Sequence, residues 1–128
     1  MTITLRVREV LRDPTPFVKG FRLGVDGALI LSDSDFRVFQ FDEDGLDERL
    51  SLRIDDPLAA SKLREALPVP PPGGWWYFGR AAVRAWTRPA LGGWVLHEVV
   101  TVWLDELGGE RPVRVEVRPC PWGWDQFR

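Results

Sequence analysis

Apolar and polar residues alternate along much of the chain, the period of two expected of strands that bury one face. The last such run is the clearest: Val113, Val115 and Val117 alternate with Arg114, Glu116 and Arg118. The pattern predicts about eight strands, near residues 3–11, 17–25, 28–32, 36–42, 47–54, 75–88, 94–105 and 111–118. Their limits come from turn chemistry. Asp26-Gly27, Asp44-Gly45, Gly92-Gly93 and Gly108-Gly109 supply the positive φ angles that tight hairpins need, so four hairpins are expected.

One stretch changes period. Asp56 is placed to cap a helix with Pro57 at its first position, and Leu58, Ala59, Leu63, Ala66 and Leu67 then share a face, which predicts a helix over about 56–67. Pro68 ends it. The following PVPPPGG, residues 68–74, continues neither element and reads as a stiff connector. Two domains divided there would leave a carboxyl-terminal unit of about 54 residues, marginal alone. A single domain over 1–128 is therefore expected, an α+β fold that is mainly antiparallel β, with the helix packed on or closing a twisted sheet or small barrel.

The strand read at 75–88, WWYFGRAAVRAWTR, sorts its residues unusually. Tyr77, Gly79, Ala81, Val83 and Ala85 form a small, apolar face; Trp76, Phe78, Arg80, Ala82, Arg84, Trp86 and Arg88 form an aromatic and cationic one. Sequential pairing with the next two strands adds His97, Thr101, Trp103, Arg114 and Arg118. The candidate binding face is thus Arg80, Arg84, Trp86, Arg88, His97, Thr101, Trp103, Arg114 and Arg118. Guanidinium groups hold carboxylates or phosphates, aromatic rings stack on bases, and arginine and tryptophan dominate protein–protein hot spots. Against this stands the plain reading of arginine stems laid over tryptophan rings on a solvated sheet.

Composition narrows the classes. Hydrophobic residues at 45% and charged residues at 28% match a folded globular chain rather than a disordered one. No apolar run approaches the roughly 20 residues of a membrane span, and MTITLRVREVLRD lacks the apolar core of an export signal. A cytoplasmic location and no membrane partner are expected. The net charge of −2 offers no general pull on nucleic acid, although charge is uneven: ten acids and three arginines lie between Asp26 and Asp56.

Catalytic chemistry has few residues to use. Cys120 and His97 are the sole thiol and imidazole, and no spacing joins them to an orienting group. Neither a metal-ligand pattern nor a phosphate loop is present, and FDEDGLDE lacks the spacing of a calcium loop, so no metal and no cofactor are expected. The tail PCPWGWDQFR reads as an aromatic plug folded over the sheet end, or else as a docking segment. The expectation is a non-enzymatic protein-binding module, such as a small bacterial inhibitor, immunity or adaptor protein. A single-stranded nucleic-acid-binding module using the arginine–tryptophan face is the alternative.

Overall fold

The computed structural model describes residues 2–15, 22–105 and 113–119. Along the chain come β1 (Thr2–Arg6), α1 (Val7–Arg12), β2 (Arg22–Leu31), β3 (Phe36–Asp42), β4 (Gly45–Ile54), α2 (Pro57–Ala66), β5 (Tyr77–Ala90), β6 (Gly93–Leu104) and β7 (Val113–Glu116). The seven strands make one mixed sheet, antiparallel except where β1 meets β2 and β4 meets β6.

The expected first strand, 3–11, divides into β1 and α1. After Leu5 and Val7 the apolar spacing lengthens to three, so Val7 and Val10 fall on one helical face, and both are fully buried. Glu9 fixes the start by accepting the Arg6 N–H through Oε1 at 3.0 Å. Thr87 of β5 then ties down the chain after α1, donating to the Pro14 carbonyl at 2.8 Å.

Asp26-Gly27 is no turn, so two expected strands merge into β2. Along one edge β2 pairs with β1 through residue 26 and with β3 from residue 28; along the other it pairs with β5 throughout Leu23–Leu31. Gly27 sits at the changeover. A Cβ there would lie 2.3 Å from the Phe39 carbonyl oxygen, so the residue is glycine because another backbone passes close by. The reversal into β3 falls instead at Ser32–Asp35, where Ser32 Oγ accepts the N–H groups of Ser34 and Asp35.

The hairpins at Asp44-Gly45 and Gly92-Gly93 form as expected, with φ of +99° at Gly45 and +86° at Gly92. Gly108-Gly109 lies outside the described residues. Helix α2 matches its prediction: Asp56 accepts the Ala59 N–H at 3.2 Å, Pro57 occupies the first position, and Leu67 ends the helix before Pro68.

Both helices cover the inner sheet face. Val7 and Val10 of α1, and Ala59, Ala60, Leu63 and Leu67 in and after α2, join Val25, Leu29, Val38, Leu52, Val83, Leu96, Val102 and Leu104 in one apolar cluster. Strands on either side of the proline connector therefore share a sheet and a core. The small barrel does not form. β4 meets β6 over only two residue pairs, Arg53–Val95 and Ile54–Leu96, too short a ladder to build a barrel wall.

Candidate functional site

Strand β5 pairs with β2 over Tyr77–Ala85 and with β6 from Ala81 onward, so its outward residues are seen in rows that cross the sheet. Phe78 stands opposite Ile30; Arg80 opposite Ala28, which faces Phe39 on β3; Ala82 lies between Asp26 and Trp103; and Trp103 faces Arg114 on β7. One outer face thus runs across β3, β2, β5, β6 and β7. Tyr77, Gly79, Ala81, Val83 and Ala85 point the other way and are buried, as the alternation predicts.

Two chemistries share this face. At one end Trp75 and Phe78 stack with ring centres 4.5 Å apart and planes 13° off parallel, while remaining 48% and 49% exposed. The patch continues through Phe41, over whose ring the Arg80 guanidinium lies at 5.6 Å. At the other end Arg84 and Arg114 both lie over the Trp103 ring, at 4.8 and 5.7 Å. Carboxylates balance part of the charge: Asp26 is 3.7 Å from Arg80, and Glu116 pairs with Arg114.

Arg80, Arg84, Trp103 and Arg114 therefore meet as expected, but apart from Thr101 the remaining candidates do not join them. Trp86 is 7% exposed and belongs to the interior, whereas Thr101 keeps its place in the face between Arg84 and Glu116, wholly buried beneath it and donating to Glu116 through Oγ1 at 3.3 Å. His97 is half-buried as the register partner of Trp86. Arg88 is engaged by Asp55 and Arg118 by Asp56.

A bulge explains the departure. Arg84 pairs with Thr101 but Trp86 with His97, so three β6 residues face Ala85 alone, and Glu98 takes φ of +49°. Alternation fails there, and Ala85, Trp86 and Thr87 are buried in succession.

Asp56 anchors that bulge. Its carboxylate, 2% exposed, accepts the Val99 N–H at 2.8 Å and the Ala59 N–H of α2, and Arg118 grips it with both Nη atoms. Arg118 also donates to the Val99 carbonyl at 3.0 Å. Burial pushes the Asp56 carboxyl up, but the bonds from Arg118, Val99 and Ala59 outweigh it and hold the group below its ordinary 3.8. The same contact raises Arg118. This cluster joins the helix start to the sheet and serves the fold.

In the acidic hairpin the carboxylates turn to their own neighbours. Asp42 is held below its ordinary value by the Asp44 N–H and the Gln40 amide, and Asp47 by the Arg49 side chain and N–H. Among the described residues no three potential ligands gather to hold a metal ion, and no helix is long and apolar enough to cross a membrane. Cys120 and the aromatic tail lie outside the described residues.

The amino-terminal contribution to the face, Ile30, Phe39 and Phe41, went unpredicted. The signal was present in FRVFQFD, where Arg37, Phe39 and Phe41 alternate with the buried Phe36, Val38 and Gln40. What sequence did not show was that β2 lies beside β5, with β3 on its other side. Comparison with known protein families, characterised proteins and solved structures finds no match.

Proposed function

We propose that the chain is a non-enzymatic protein-binding module of one domain, of the kind represented by small bacterial inhibitor, immunity or adaptor proteins acting in the cytoplasm, and that it engages its partner through the outer sheet face. The observation that carries this reading is the half-exposed Trp75–Phe78 stack, continuous with Phe41 and Arg80 and then with Arg84, Trp103 and Arg114. Rigid aromatic anchors beside arginines, set on strands rather than on loops, combine the residue types and preorganisation of binding hot spots.

The non-enzymatic part rests on chemistry. The sole imidazole, His97, sits half-buried beside Trp86, and the perturbed carboxylates are each explained by hydrogen bonds within the fold.

The nucleic-acid alternative has less support. Two guanidiniums lie over the Trp103 ring, where a base would stack, and Asp26 and Glu116 offset Arg80 and Arg114. Affinity capture from cells of the source organism, with the wild type and with a Trp75→Ala/Phe78→Ala variant, tests the proposal. A protein held by the former and released by the latter is expected; no partner, or equal capture by both, refutes it. Oligonucleotide titration at two salt concentrations tests the alternative, which requires tryptophan quenching and a salt-dependent affinity.

A further inference from the structure

Beyond the partner-binding reading, the end of the outer face at β3 and β4 carries a charge arrangement of its own. The antiparallel register sets Arg37 directly opposite Arg53, a like-charge cross-strand pair that is unfavourable in isolation. Across the sheet the charged groups follow in the order Asp35, Arg37, Arg53, Asp55, Arg88. Asp35 accepts from Arg37 Nε at 2.9 Å, while Asp55 is 4.0 Å from Arg53 Nη1 and is gripped by Arg88. Sign alternates along this row except at one junction, between Arg37 and Arg53.

The surface opens beside that junction. A groove of about 190 Å³ is lined by Arg37, Ser51, Arg53, Gly92, Gly93 and Trp94. Ser51 Oγ accepts from Arg37 Nη1 at 3.1 Å, which leaves its hydroxyl hydrogen able to donate. Gly92 and Gly93 have φ of +86° and +145°, and no atom lies within 4 Å of the place a Cβ would take, so this wall is open to solvent. Trp94, half-buried against the core, closes the apolar side.

We propose that this groove is an oxyanion site, taking a phosphate or carboxylate group between the guanidiniums of Arg37 and Arg53 with the Ser51 hydroxyl as a further donor. Planar guanidinium forks match either group bidentately, and an anion at the junction completes the alternation of charge. The three arginines and two aspartates of the row carry a surplus of one positive charge, which a monoanion cancels. Ile30 alone separates Arg37 from Phe78 in the cross-strand row, so the site adjoins the Trp75–Phe78 stack, but it rests on charge and does not depend on the protein-binding reading.

Titration of the full chain with inorganic phosphate, and separately with acetate, at ionic strength held constant with sodium chloride, tests the proposal through backbone amide NMR shifts. Saturable shifts at Gly92, Gly93 and Ser51 are expected. Arg53→Gln weakens binding about tenfold or more, Ser51→Ala weakens it less, and Arg49→Gln on the exposed acidic hairpin leaves it unchanged. Response to phosphate alone assigns a phosphoryl ligand; response to both anions assigns a general oxyanion site that also accepts an acidic side chain. The half-exposed position of Arg53 makes Arg53→Gln compatible with folding, which its own spectrum verifies. Absence of saturation with either anion, undiminished affinity in Arg53→Gln, or shifts centred on Trp103 overturns the proposal.

Discussion

Replacing Asp56 by alanine removes four hydrogen bonds at once: those from the Ala59 and Val99 amides and the two from Arg118. Loss of the helix cap alone costs about 1 kcal/mol. Stranding one member of a buried ion pair costs about 3–5 kcal/mol, and because the Arg118 side chain remains 32% exposed and regains water, the lower end applies. Asp56→Ala is therefore expected to lose about 4 kcal/mol in total, a large part of the stability of a domain this size. Asp56→Asn keeps an acceptor for the cap but not the charge, and is expected to lose about 1–2 kcal/mol.

The pH dependence gives an independent check. The folded-state pKa of Asp56 lies below its ordinary 3.8, so the carboxylate's contribution is whole above that value and drains away as pH falls through the lower, folded-state value. Urea unfolding followed by tryptophan fluorescence between pH 3 and pH 7 measures both effects. The gap between wild type and Asp56→Asn is expected to be constant near neutrality and to narrow below about pH 4. Asp42 and Asp47 titrate in both proteins and cancel in the difference. An Asp56→Ala protein within about 1 kcal/mol of wild type, or a gap unchanged at low pH, refutes the reasoning.

Three further outcomes follow from the packing. Gly27→Ala drives a Cβ toward the Phe39 carbonyl and forces β2 and β3 apart, lowering stability by about 2–3 kcal/mol; a wild-type urea midpoint contradicts this. Glu98→Gly relieves the left-handed backbone at the β6 bulge and raises thermal stability by up to about 1 kcal/mol, whereas Glu98→Val lowers it; the reverse order is inconsistent with the bulge. Trp75→Ala/Phe78→Ala changes stability by under about 1 kcal/mol, because both rings are half-exposed, yet weakens partner binding by about 2 kcal/mol or more; calorimetry with the captured partner reads both.

Local signals were legible wherever local chemistry decides structure. Asp56-Pro57 and the spacing of Ala59 and Leu63 predict α2, and Gly92-Gly93 predicts its hairpin. Asp26-Gly27 misleads because the same glycine that suits a turn also suits close passage of a neighbouring strand, and only tertiary contact distinguishes the two. The change from β1 to α1 rests on a single altered spacing between Val7 and Val10, too short for periodicity to resolve.

The site divides along the same line. Alternation in β5 and β7 places Arg80, Arg84 and Arg114 on one face, and Trp103 joins them through the register of β6. Beyond Arg84 the alternation passes through the bulge and fails for Trp86, whereas Thr101, opposite Arg84, keeps it and is buried beneath the face. Arg88 and Arg118 are claimed by Asp55 and Asp56, carboxylates 33 and 62 residues earlier in the chain. No sequence period reveals such pairs.

The outer sheet face as a protein-binding surface is tested most directly by site-specific photocrosslinking. A photoreactive phenylalanine analogue at Phe78 is expected to capture one discrete protein in cells of the source organism, while the same analogue at Lys62, on the exposed side of α2, captures none. Equal labelling from both positions, or no adduct from Phe78, contradicts the account.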